Sequence, residues 1–126
     1  MAQVFHELAV WKKAIELSAC IYKLTRLFPK EETYGMVSQM PRASVSIASN
    51  IAEGRGRLNA ADLRQFLGVA QGSTFELKTQ ISIAERLGIA SSDALREAER
   101  LSDEVSKMLR AFIQALRSKQ ELRANG

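Results

Sequence analysis

The sequence predicts an all-α protein, an up-down-up-down antiparallel four-helix bundle. Apolar residues recur at three- and four-residue spacing through four long segments, and no stretch alternates apolar with polar residues as a half-buried strand would. The connections between the segments are short, so consecutive helices are expected to pack antiparallel. The prediction is a single domain over residues 1–126, with helices at about 7–28, 31–54, 60–87 and 92–119.

The first helix carries Val10, Ala14, Leu17, Ile21, Leu24 and Phe28 at alternating spacings of four and three, with Trp11, Ser18 and Thr25 widening the same face. Pro29 stops it, because its ring cannot continue the hydrogen-bond ladder. The second helix is expected to begin at Glu31 or Glu32, whose charges suit an N-terminus, and to end at Gly54 before the loop Arg55–Arg57. Pro41 lies inside it and predicts a kink or local break between Val37 and Pro41. The third helix starts after Asn59, a good N-cap, with Asp62 three residues on. Its inner face runs through Leu63, Phe66, Leu67, Ala70, Thr74, Leu77, Ile81, Ala84 and Leu87, Gly88 is its natural stop, and Gly72 and Ser73 mark a place for close helix approach. The fourth begins after Ser91 or Ser92, with Leu95, Ala98, Leu101, Val105, Met108, Leu109, Phe112 and Leu116 inward, and its last residues, 123–126, are expected to fray. Its acids come early and its bases late, which suits the helix dipole.

The second helix holds the most functional information, because it has two apolar sectors. Met36, Met40, Ala43, Ile47 and Ile51 make one stripe; Tyr34, Pro41, Val45, Ala48 and Ala52 make a second, of mostly small residues, further round. A helix packed only within its own bundle needs one stripe. The surplus predicts a contact between copies of the chain through Val45, Ala48 and Ala52; the alternative is that a kink at Pro41 rotates the face, so that both sectors serve one core in succession.

Several chemistries are excluded by what the chain lacks. Cys20 is the only cysteine, so no internal disulfide or multi-cysteine metal site can form. His6 is the only histidine, which leaves neither a hydrolytic triad nor a histidine metal cluster, and no Glu-x-x-His pair exists for a carboxylate di-metal site. Gly54–Arg57 lacks the lysine and hydroxyl of a phosphate-binding P-loop. Glu53 and Glu76 read as structural carboxylates, Glu53 near a helix end and Glu76 paired with an arginine. The expectation is no catalytic residue, no metal and no cofactor. No apolar run approaches the roughly 18 residues of a membrane span, and no secretory leader is visible, so the expected location is cytoplasmic, with no membrane partner.

Formal charge is +4 and the isoelectric point is near 9.5. Arg42, Arg55, Arg57 and Arg64 cluster around the second helix, its loop and the next helix start, and they are the candidates for phosphate contact. No exposed aromatics interleave with them, so charge rather than base stacking is the mechanism on offer.

The order of motifs resembles a known family. F-x-x-L-x-V-W-x-K-A (5–14), I-Y-x-L-T-x-x-F-P (21–29), E-x-Y-G-M-x-S-Q-M (32–40), R-A-S-V-S-I-x-S-N-I-A-E-G (42–54) and F-L-x-x-A-x-G-S-x-x-E-L (66–77) are similar to the 23S rRNA-intervening-sequence proteins. The chain departs from them at Pro41, where an arginine is usual, and at Ala48, where proline is common. The resemblance implies a non-enzymatic helical bundle that assembles as a homo-oligomer, a pentameric ring. A similar bundle is the accessory protein of diversity-generating retroelements, which implies RNA or DNA, or a reverse transcriptase or another nucleic-acid-handling protein, as partners. The alternative is a structural or protein-adaptor oligomer with no nucleic-acid role.

Overall fold

The computed structural model describes residues 2–125, with side chains described for residues 7–124. Four helices form: α1 (Ala2–Thr25), α2 (Met36–Arg55), α3 (Ala60–Leu87) and α4 (Ser92–Asn125), with a single 3-10 turn at Lys30–Glu32 between the first two. There is no strand among the described residues.

Each helix packs on its neighbours in the chain, and α4 closes the square by packing on α1. Cross-helix contacts fix the directions. Glu7 meets Arg55 and Ser18 meets Ser44, so α1 and α2 run oppositely. Ser46 bonds Ser73 while Gly54 abuts Leu63, so α2 and α3 do too. Arg64 donates to Gln120 and Lys78 pairs with Asp103, which sets α3 against α4. Lys13 on α1 reaches Glu104 on α4 at 3.2 Å. The result is the up-down-up-down bundle.

The core is the stripe the periodicity predicts. Val10, Ala14, Leu17 and Ile21 from α1 meet Met40, Ile47 and Ile51 from α2, all fully buried. Leu67, Ala70 and Leu77 from α3 and Leu95, Leu101, Val105 and Leu109 from α4 complete it. Three predicted inner positions lie further out: Phe66 and Met108 are only partly buried, and Leu87, in the last turn of α3, is exposed. Hydroxyls link α2 to both its neighbours. Ser44 donates to the Pro41 carbonyl at 2.8 Å, leaving its oxygen to accept from Ser18 at 3.1 Å, and Ser46 and Ser73 share a 2.9 Å bond. Buried hydroxyls satisfied in this way let the helices approach closely without a desolvation loss.

The ends of α3 follow the sequence closely. Asn59 Oδ1 accepts from the Asp62 N–H at 2.8 Å, filling one of the orphan donors of the first turn. Gly88 sits at φ +66°, in the left-handed region, and Ile89 N–H reaches back to the Ala84 carbonyl at 3.0 Å to close the helix.

Three expectations need correction. The second helix begins at Met36, not Glu31: the acids before it form a 3-10 turn, and Gly35 precedes the helix without a side-chain cap. This start explains why α2 is continuous through Pro41. The acceptor that the proline leaves unused is the Val37 carbonyl, in the first helical turn, where the loss interrupts nothing downstream. Close approach at the α2–α3 contact occurs at Ser73, which bonds Ser46, and at Gly54, but not at Gly72. A Cβ on Gly54 would lie 2.9 Å from Leu63 Cδ1, whereas Gly72 has nothing within 4 Å. Finally, α4 runs to Asn125, past the predicted end near residue 119.

Candidate functional site

Two surfaces stand out: an apolar seam along the α1–α2 side and a basic cleft at one end of the bundle.

The seam is built mostly by α1. Leu8, Ile15 and Tyr22 are seven residues apart, and each leaves 37%, 46% and 48% of its surface exposed, respectively. Trp11 and Ser18 fall between them, partly buried. A seven-residue repeat keeps one line of side chains on one side of a helix, as in a coiled-coil seam. Thus α1 has two apolar lines, one inward and one outward. The antiparallel register set by Glu7–Arg55 and Ser18–Ser44 lays the outward line beside the outer sector of α2. Tyr22 and Val45 flank the same shallow groove, with Pro41 at its base.

The α2 residues expected to join copies divide. Val45 is 42% exposed and Ala52 is exposed. Ala48 is only 7% exposed and belongs to the chain's own core, one turn along α2 from Ser44, which bonds Ser18 of α1. Its place in the contact between copies is therefore withdrawn. Leu8, Ile15 and Tyr22 are the larger components of this surface, and the signal for them was their seven-residue repeat beside the core stripe.

The arginines also divide. Arg42 is exposed and thirteen residues before Arg55, about 20 Å along the helix axis, so it stands apart from the others. Arg55, Arg57 and Arg64 do converge at the end of the bundle where α2 turns into α3. Arg55 Nε lies 3.6 Å from Glu7 Oε2, and Arg57 Nη2 lies 3.3 Å from Glu53 Oε2. The Arg57 guanidinium also stacks 4.6 Å from the centre of the Phe66 ring. Arg64 donates to Gln120 Oε1. Beside them the last turns of α4 bring Lys119 and Arg123, which the sequence reading did not single out. Together with Arg55 and Arg57 they line a cleft of about 200 Å³.

Of the two carboxylates expected to be structural, Glu53 pairs with Arg57, as a group near a helix end does. Glu76 is exposed and forms no ion pair among the described residues, so its expected arginine partner is absent there. No group of three or more His, Cys, Asp or Glu placed to hold a metal ion occurs among the described residues, and the side chain of His6 lies outside them. No described helix is long and apolar enough to cross a membrane.

Cys20 lies between α1 and α4 in a shallow groove that Leu24, Leu27 and Ala94 also line. Burial, and next the nearby Glu97 carboxylate, push its thiol above the ordinary cysteine range. On the same side Arg100 clasps Glu97 and Glu104, and its hydrogen bond holds the Glu97 carboxyl below the usual glutamate range.

The bundle and its two surfaces define a class: a small antiparallel helical protein with an exposed apolar seam along its side and a basic cleft at its end. The chain belongs to the 23S rRNA-intervening sequence protein family, whose model matches residues 6–111. A crystal structure of a protein of unknown function from the S23 ribosomal protein family of Bacteroides thetaiotaomicron is similar in fold, with a TM-score of 0.80 and 23% identity over 86% of this chain and 98% of that one. No curated protein matches the chain in sequence.

Proposed function

We propose that the chain is a non-enzymatic, cytoplasmic assembly protein. Copies associate through the α1–α2 seam into a homo-oligomer, a ring of five as the family resemblance implies. The ring presents its basic ends to RNA, DNA or a protein that handles them, such as a reverse transcriptase.

The observation that carries this reading is the seam of Leu8, Ile15 and Tyr22 beside Val45 and Ala52. Full burial of a large apolar side chain stabilises by roughly 1.5–3 kcal/mol, so covering the exposed half of one gives about 1 kcal/mol. Four such residues on each of two copies give about 8 kcal/mol, the size of a micromolar complex before association entropy is counted. Association entropy and side-chain ordering oppose the contact by roughly 4–15 kcal/mol, so a second patch would strengthen the assembly. Val69 and Ile83 on α3, fourteen residues apart and both more than 40% exposed, offer one. A contact between two different patches is the head-to-tail kind that closes into rings, whereas a two-fold dimer would use one patch twice.

Five copies at +4 each would carry +20, enough to concentrate a polyanion that a single copy attracts weakly. The adaptor alternative draws support from Arg55, Arg57 and Arg64, each of which already has a partner within the chain.

Light scattering of Ile15→Glu/Val45→Glu tests the assembly. The expected result is a fall from oligomer to the 14.0 kDa single chain with the helical circular dichroism retained. An unchanged mass removes the seam from the contact. A mobility-shift titration across salt tests the nucleic-acid half: binding should weaken steeply as salt rises. No shift even at low salt leaves the adaptor reading standing.

A further inference from the structure

We propose that the cleft between the α2–α3 turn and the end of α4 binds a phosphate group of close to two negative charges, carried as a monoester at the end of a nucleic-acid strand or as the free inorganic ion. Three observations support it. The cleft draws cations from two places far apart in sequence: Arg55 and Arg57 at the α2–α3 turn, and Lys119 and Arg123 near the end of α4. Among the described residues the one acid on its wall is Glu7, which is bound to Arg55. Lys119 and Arg123 form no ion pair among the described residues, although they stand four apart on one face of α4, where like charges repel. The dipole of α4 accounts for bases in its last turns but not for their meeting the cations of the α2–α3 turn.

The shape selects the ligand. The roughly 200 Å³ open to water-sized groups is many times the roughly 10–15 Å³ that one water needs on that measure, so a phosphoryl group fits. The cleft is partly enclosed and lies at the end of the bundle, so a strand can enter it but has no track through it. A terminal phosphate brings close to two charges and three strong acceptors, which guanidinium forks bind in bidentate fashion. The pair of Arg57 with Glu53 is solvent-exposed, so an arriving dianion can recruit Arg57 at little cost.

The choice of a strand end as the ligand rests on the nucleic-acid reading above; binding of the free ion does not. The test compares the natural chain with Lys119→Gln/Arg123→Gln at constant ionic strength, both positions being exposed and outside the core. Inorganic phosphate, with chloride as control, is titrated by calorimetry and by melting temperature. Single-stranded oligonucleotides bearing a 5′-phosphate, a 3′-phosphate or neither are titrated by fluorescence anisotropy. The expected result is a phosphate-dependent rise in melting temperature that the double variant loses, and at least tenfold tighter binding of one end-phosphorylated strand, a preference the variant also loses. Phosphate binding without strand binding upholds the cleft for the free ion and defeats the nucleic-acid reading. Strands bound equally with and without a terminal phosphate, together with phosphate acting no differently from chloride, overturn the cleft proposal while the nucleic-acid reading stands.

Discussion

At Gly54 α2 lies close against α3, and substituting it by alanine tests the packing that shapes the basic end. The added Cβ would lie 2.9 Å from Leu63 Cδ1, 3.1 Å from Phe66 Cβ and 3.4 Å from the Leu63 carbonyl oxygen. The first contact is with the end of a flexible side chain and can yield. The second is with an atom fixed to the α3 backbone, so relief requires the helices to separate. Overpacking of this kind costs about 1–3 kcal/mol. Replacing glycine in a helix returns roughly 0.5–1 kcal/mol, and less near a helix end such as this one. Gly54→Ala should therefore lose about 1–2 kcal/mol. Gly68→Ala is the internal control: it sits in the middle of α3 with nothing within 4 Å of the new methyl, so it should gain about 0.5–1 kcal/mol.

Urea unfolding at one protein concentration, followed by circular dichroism, measures both variants. One concentration is needed because assembly is linked to stability. The midpoints should move in opposite directions with an unchanged slope, and at roughly 4 °C per kcal/mol the melting temperatures should part by about 6–12 °C. Equal stabilisation of the two variants would refute the tight α2–α3 approach, and with it the geometry that brings Arg55 and Arg57 up to α4.

Other outcomes follow from single groups. Asn59→Ala removes the acceptor for the Asp62 N–H and should lower stability by about 1 kcal/mol, while Asn59→Asp should keep most of it; thermal melts compare the two. Cys20 should be alkylated by iodoacetamide slowly, with a rate that rises at higher pH than for a free thiol, because burial disfavours the thiolate. A raised thiol pKa means that the related stability is full below the ordinary cysteine value and is lost as pH climbs through the folded one, so melting temperatures at alkaline pH should fall less for Cys20→Ala. For Glu97, held low by Arg100, the sign is opposite: its contribution is full above the ordinary glutamate value and is lost as pH drops through the depressed one. Arg100→Gln should flatten the acid limb of melting temperature against pH, and an unaltered limb would detach this pair from stability.

Much of the fold is legible in the sequence wherever one residue decides a local outcome. Asn59 and Gly88 bound α3 because a side-chain acceptor and a left-handed backbone have few substitutes there. The core stripes are legible because burial follows helical period. The start of α2 is not, since Glu31 and Glu32 suit the first turn of an α-helix and a 3-10 turn equally well, and tertiary packing chose between them. Gly72 misled for a related reason: a small residue permits close approach but does not specify which face of the helix it lies on, and this one faces open space.

The interaction surfaces depend on pairing between helices, which is why they were only half visible. Ala48 and Val45 belong to one small-residue sector of α2, and nothing in that helix alone separates them; packing within the bundle buries Ala48 and spares Val45. The same packing turns the second apolar line of α1 into the larger exposed surface. The basic end shows the effect over a longer span. Arg55 and Arg57 are more than sixty residues from Lys119 and Arg123 in the chain, and only the opposed directions of α3 and α4, registered by Arg64 on Gln120, bring the two pairs to one cleft. Folding the four predicted helices antiparallel at that register places residue 64 beside residue 120, so the convergence follows from topology together with charge. Neither the charge pattern along α4 nor the arginines of the α2–α3 turn implies it alone, because each is fully accounted for by its own helix until the other is set beside it.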